Sequence, residues 1–255
     1  MNLFRVRGIQ LAVHFSFFLL LAVNAFDGWA DGGWPGLWWN SALLLSFFGC
    51  VVLHELGHCF TAMHYGITVP RILLLPIGGM AEFDGIPREP RRELLITIAG
   101  PGVNFVLAGL LWLVLPAELS PAVETSAADV PTLLETAGLL MQWNVAMGLF
   151  NLLPAFPMDG GRILRALLAT RLSYLRATFW AVTTGKILCV AGAAIALFYQ
   201  PLLAALFTFI FVVGEMEYRA ARRRELEDAH FRAVLARLHA ASVATPTEEP
   251  PLLVG

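Results

Sequence analysis

The stretch VVLHELGHCFTAMHYG, residues 51–66, decides how this chain is read. It closes an apolar run over about 37–65, long enough for a membrane helix, yet it carries His54, Glu55 and His58. Residues four apart lie on one helical face, so His54 and His58 can offer two imidazoles to one divalent ion. Glu55, one residue round from His54, can reach a water on that ion as general base. Ionisable groups at membrane depth are expensive, and their presence there points to function before packing.

Composition supports the membrane setting. Of 255 residues, 58% are hydrophobic and 14% charged, and the mean hydropathy is +0.69, values of a membrane protein rather than a soluble domain. A net charge of -2 and the lack of a basic stripe exclude nucleic acid as a partner. Cys50, Cys59 and Cys189 lie in apolar segments with no paired spacing, as packing residues do. Lys186 is the only lysine among 17 basic residues, a bias that fits a GC-rich bacterial genome.

Outward from the opening stretch, the apolar runs predict an all-α polytopic membrane protein with about six transmembrane helices. They fall at 9–26, 37–65, 94–115, 133–153, 177–199 and 202–218, with residues 1–218 as the membrane domain and its core spans over about 37–173. The first run follows a short basic N-terminus without a clean small-x-small cleavage site, so it reads as a retained span rather than a signal peptide. The linker at 27–36 leads into the second run, with Trp29, Trp34, Trp38 and Trp39 suited to the lipid interface. Residues 67–85 are rich in β-branched and aliphatic residues but interrupted by Pro76, Gly78 and Gly79, so they read as a short β-hairpin or re-entrant element after the second span. GRILRALLATRLSYLR, 161–176, reads as an amphipathic helix with four arginines facing water. Residues 219–255 read as a charged helix and a Pro/Glu-rich disordered end. Arginines mark the N-terminus, the patch Arg88, Arg91 and Arg92, the segment after Asp159 and the tail, while the loop at 116–131 carries only acids. The positive-inside rule then places both termini in the cytoplasm, for an integral protein of the bacterial cell membrane.

A catalytic zinc needs a third protein ligand and an open position. Asp159 is the best candidate, since it lies in the Pro/Gly-broken stretch LPAFPMDGG at a similar depth; capping the following helix is its other role. Two neutral histidines and one carboxylate leave a net positive site, which lowers the pKa of bound water to about 7. His64 is the rival, at the spacing of a metzincin third histidine, but Thr61 stands where those enzymes turn on glycine. In a continuing helix His64 points about 240° away from His58. His14 reads as a hydrogen-bonded packing residue, Glu82 and Asp84 as boundary residues of the hairpin, and Glu215 and Glu217 as marking the end of the last span. Asn151 could donate to a substrate carbonyl or oxyanion or bond between helices. For Asn104 and Asn144 packing is the default.

With both motifs on the page, HELGHCFTAMHYGI at 54–67 and NLLPAFPMDGGR at 151–162, the chain resembles the site-2 proteases, intramembrane zinc metalloproteases of peptidase family M50. Ala62 and Gly66 match the continuation of the first motif, and Asn151, Pro154, Asp159 and Gly160 match the second. VHFSF and AGPGVN look familial too, and the resemblance covers about 9–218. It implies one Zn2+ per chain held by His54, His58 and Asp159, with Glu55 as catalytic base and Asn151 touching substrate. It also implies a hairpin edge on which an unwound substrate can pair. The expected partners are transmembrane protein substrates and the lipid bilayer, in regulated intramembrane proteolysis. Many relatives carry a PDZ or CBS domain, for which this chain has no room. The competing reading is a non-proteolytic membrane metalloprotein, either a metal transporter or an inactive relative. The oligomeric state is open.

Overall fold

A computed structural model describes residues 1–85, 89–115 and 132–244. Arg88, the acidic loop at 116–131 and the Pro/Glu-rich end at 245–255 lie outside the described residues. The chain begins with β1 (Asn2–Val6) and β2 (Ile9–Val13), joined by Arg7 and Gly8. Both have positive φ, 47° and 93°, as a two-residue hairpin turn requires. Helix α1 (Phe15–His64) follows, then β3 (Arg71–Leu75) and β4 (Gly78–Glu82). The four strands form one sheet in the order β1-β2-β3-β4. Its central pair, β2 and β3, is parallel, with Leu11 opposite Ile72. Parallel neighbours need a long crossover, and α1 supplies it.

Two expectations are corrected here. The hairpin at 67–85 is real, but it is half of a larger sheet completed by the N-terminus. The first apolar run does not begin a helix at residue 9, because Ile9–Val13 is a strand. A short run as apolar as Ile9, Leu11, Ala12 and Val13 fits a buried strand as well as a helix, and Ile9, Leu11 and Val13 are buried against Phe17, Phe48, Val51, Ile72 and Leu74.

Helix α1 is broken at Gly32 and Gly33, where Gly33 takes φ 59°. The limbs fold back on each other: Phe17 meets Phe48 edge-on at 4.7 Å, and a Cβ on Gly28 would stand 2.8 Å from the Asn40 amide nitrogen. The linker at 27–36 is therefore helical except for that break. Next come α2 (Pro90–Val114), α3 (Leu133–Asn151), α4 (Asp159–Ala169), α5 (Tyr174–Tyr199) and α6 (Pro201–Ala244). Thr132 and Glu135 form a reciprocal capping box at the start of α3, and Pro154 and Pro157 keep the chain from resuming a helix before Asp159. The amphipathic stretch at 161–176 is split between the end of α4 and the start of α5. The last apolar run and the charged segment after it form one continuous helix, α6.

Among the described residues, four helices are long and apolar enough to cross a membrane: Phe15–His64, Pro90–Val114, Tyr174–Phe198 and Pro201–His239. The protein is a mostly helical integral membrane protein with a small sheet. The main core lies between that sheet, the second limb of α1 and the start of α2, through Ile72, Cys59, Ala62 and Ile96. Gly57 sets the approach of α2, since a Cβ there would lie 2.8 Å from the Ala99 carbonyl oxygen. Gly57→Val should therefore destabilise the protein by about 1–3 kcal/mol through overpacking, read as a lowered thermal midpoint in detergent; an unchanged midpoint would mean the helices part without cost.

Candidate metal centre

Three elements meet at one point. The second limb of α1 brings His54 and His58, α2 forms the wall behind them, and α4 begins with Asp159. Asp159 arrives there because the chain turns sharply after α3. A Cβ on Gly160 would strike the Leu152 and Leu153 carbonyls, and one on Gly161 would lie 2.8 Å from the Phe156 nitrogen. Met158 holds the capping position of α4 without a side-chain bond, so Asp159 is not the cap. Its Oδ2 lies 3.3 Å from His54 Nε2 and 3.2 Å from His58 Nε2. The two Nε2 atoms are 3.1 Å apart.

Hydrogen bonds behind the rings decide what those three atoms are. His58 Nδ1 lies 2.8 Å from the Ile96 carbonyl oxygen, which can only accept, so Nδ1 carries the proton and Nε2 presents a lone pair. For His54 the tautomer is set through two amides, Asn144 and Asn104. Asn144 Nδ2 donates to the Leu140 carbonyl at 2.8 Å, which leaves Asn144 Oδ1 to accept from Asn104 Nδ2 at 2.9 Å. Asn104 Oδ1 is thereby turned to His54 Nδ1 at 2.5 Å, and His54 Nε2 is also a lone pair. Asp159 Oδ2 is buried and receives no hydrogen bond among the described residues.

Three acceptors facing one another in a dry site repel unless a cation lies between them. Tetrahedral zinc with ligands at about 2.0–2.1 Å would hold them about 3.3 Å apart, close to the separations found. Gly100 keeps the space open: a Cβ there would overlap His58 and come within 2.7 Å of His54 Nε2. The donor set and the cradle fit a zinc ion, and among the described residues this is the one such cluster of His, Cys, Asp or Glu.

Glu55 is half-buried beside this cluster, and a Cβ on Gly79 of β4 would press on its Cγ at 2.5 Å. A cavity of about 740 Å3 opens here, lined by His54, Glu55, Asn151, Gly79, Phe48 and Trp143 among others. Asn151 donates to the Met147 carbonyl of its own helix at 3.1 Å and makes no interhelical bond among the described residues. The sequence-predicted His54, Glu55, His58, Asp159 and Asn151 are thus brought together.

The remaining candidates fall elsewhere. Thr61 bonds the Gly57 carbonyl at 2.9 Å within an unbroken helix, and His64 is exposed with its ring against Tyr65. His14 caps α1, accepting from the Ser16 amide at 3.2 Å. Glu82 pairs with Arg71 at 2.6 Å. Glu215 bonds Lys186 on α5, and Glu217 bonds Arg165 on α4. Asn104 and Asn144, read from sequence as packing residues, and Gly100, given no role there, all serve the site. Their signal was a polar amide inside an apolar run and a glycine beside a proline.

Fold and site together define an integral membrane metalloprotein with an HExxH centre completed by a distant aspartate. Residues 42–121 and 117–192 match peptidase family M50, and the chain belongs to that family. It is 39% identical over 219 residues to a zinc metalloprotease of Methanocaldococcus jannaschii, covering 86% of this chain and 60% of that protein. It is 30% identical to Stage IV sporulation protein FB of Bacillus subtilis, covering 72% of this chain and 65% of that one. The chain therefore spans less than two thirds of either relative's length. The solved structure of the site-2 protease from Methanocaldococcus jannaschii superposes with a TM-score of 0.60 at 35% identity, over 86% of this chain and 94% of that one.

Gly100→Ala should leave the helices intact, by circular dichroism, but sharply reduce the zinc that co-purifies, by elemental analysis. Full occupancy in that variant would show that the cradle does not set the site.

Proposed function

We propose that this protein is a zinc metalloendopeptidase of the site-2 type, cleaving peptide bonds in the transmembrane segments of other membrane proteins. The observation that carries the reading is the convergence of two imidazole lone pairs and a buried carboxylate oxygen beside Glu55, at the head of a cavity within membrane helices. His54, His58 and Asp159 hold one zinc ion per chain, as the names of the relatives and the donor set support. When bound there, zinc acts as a Lewis acid that lowers the pKa of a water to about 7.

The chain's own residues supply the rest. Glu55 takes a proton from the attacking water and returns it to the leaving amine, the exchange expected of a general base that becomes a general acid. Asn151, already anchored to its own helix, offers its second amide hydrogen to the substrate carbonyl as negative charge develops. β4 is an edge strand, and its backbone at Gly78 and Gly79 borders the cavity. An extended substrate can pair there, which offsets the loss of its own helical hydrogen bonds. Aromatic walls from Phe47, Phe48 and Trp143 suit apolar side chains of a membrane segment.

The two limbs of α1, with α2, α3, α5 and α6, give six spans, and the alternation of arginine-rich loops puts both termini in the cytoplasm. Regulated intramembrane proteolysis is the process such an activity serves. A metal transporter would need ionisable groups along a path through several spans, whereas here they gather at one depth.

Glu55→Gln should keep zinc and fold yet abolish cleavage of a model single-span substrate in detergent, and normal turnover would refute the mechanism. Asp159→Ala should lower zinc occupancy to a small fraction of wild type. Unchanged occupancy would pass the third-ligand role to another group.

A further inference from the structure

Away from the metal centre, the most deeply buried charges in the described chain are Arg165 and Glu93. The sequence pattern puts Arg165 among the water-facing arginines of 161–176, but α4 turns it inward, and it is 1% exposed. Its Nε and Nη2 both donate to Glu93 Oε1, at 2.8 and 2.5 Å, and its Nη1 donates to Glu217 Oε1 at 2.9 Å. The guanidinium also lies over the rings of Phe156 and Tyr174, 5.1 and 5.0 Å from their centroids. Glu93 is as buried as its partner, and its Oε2 accepts no hydrogen bond among the described residues.

Such a pair is a poor source of stability. Desolvation offsets most of the attraction between buried charges, and an unsatisfied carboxylate oxygen worsens the balance. What the pair does supply is direction, because a planar fork meets its acceptors in only a few geometries. Glu93 stands one turn before Ile96, whose carbonyl holds His58. Phe156 stands three residues before Asp159, and Arg165 stands six after it. One guanidinium therefore ties the wall behind His58 to the chain on both sides of Asp159. That matters because Asp159 comes from a different helix than the histidines, across a turn that no strand or helix stiffens.

We propose that Arg165 is a positioning residue that, through Glu93, sets the separation between Asp159 and the two histidines. Glu217 extends the same constraint to α6. The proposal rests on reading His54, His58 and Asp159 as metal ligands. A side chain that merely filled space could be exchanged for an apolar one of similar volume with no change at the metal, whereas a positioning residue could not.

The test uses the full chain in detergent, loaded with cobalt in place of zinc so that its visible absorption reports ligand geometry. The double variant Glu93→Met/Arg165→Met removes both charges together, which avoids leaving either one buried alone. It should melt close to wild type, lose zinc to a chelator roughly ten- to hundredfold faster, and show weakened or shifted cobalt bands. Arg165→Lys keeps the charge without the fork and should fall between wild type and the double variant in both readouts. Wild-type cobalt bands and chelator kinetics in both variants would overturn the proposal. Failure of the wild-type protein to take up cobalt would instead remove the metal reading on which it stands.

Discussion

Everything around the centre follows from the need to keep two imidazole nitrogens unprotonated in a place where water cannot help. A neutral histidine has one proton and two nitrogens, and in an apolar surround the proton settles wherever an acceptor is fixed. The Ile96 carbonyl fixes it for His58, and a relay from Leu140 through Asn144 and Asn104 fixes it for His54. Both acceptor systems lie on the far side of the rings from Asp159. The Nε2 lone pairs therefore face inward, and the site is selective for a cation before any ion arrives. Helix α2 is central because it supplies the Ile96 carbonyl, the Asn104 amide and the glycine that leaves room between the rings.

This arrangement demands close approach, and small residues provide it. Gly57 brings α2 against α1, Gly100 lets the backbone pass beneath both imidazoles, and Gly160 and Gly161 fold the start of α4 onto the end of α3. In a membrane, where lipid is as apolar as leucine, close backbone packing is a principal source of helix association. The same glycines thus serve assembly and chemistry together. On the other flank, the turn before Asp159 is backed by Ala155 and Met158 packed on Cys189 and Ile210 of α5 and α6. Gly185 allows Ala155 to come close.

The parts of this design that were legible from sequence are those carried by local pattern. HELGH announces two imidazoles because helical periodicity alone puts them on one face with a carboxylate beside them, and PMDGG announces the distant acid because a carboxylate in a Pro/Gly break at that depth must either cap the next helix or meet a partner. The strand Ile9–Val13 was not legible, since four apolar residues around Gln10 ahead of a long apolar helix look like its first turns, and only pairing with Arg71–Leu75 distinguishes them. Arg165 was misread for a related reason. Amphipathic pattern assigns charge to water by default, and nothing within 161–176 shows that Glu93, 72 residues earlier, waits on the inner side. The role of Asn104 was hidden likewise, because its partners His54 and Asn144 lie 50 and 40 residues away.

Splitting the ligands between α1 and α4 has a physical consequence that a contiguous site would not. His54 and His58 are held by one rigid helix, so their separation is set by helical geometry. The distance to Asp159 is set by tertiary packing alone, and it can change whenever α4 shifts on α2. The stretch that joins α3 to α4 is the turn at 152–158, between Asn151 and Asp159. Just before it, the last residue of α3, Asn151, lines the cavity beside Glu55. Asn151 and Asp159 therefore sit at the two ends of one short turn, so the cavity wall and the third corner of the centre share the same stretch of chain, whereas His54 and His58 are fixed on α1.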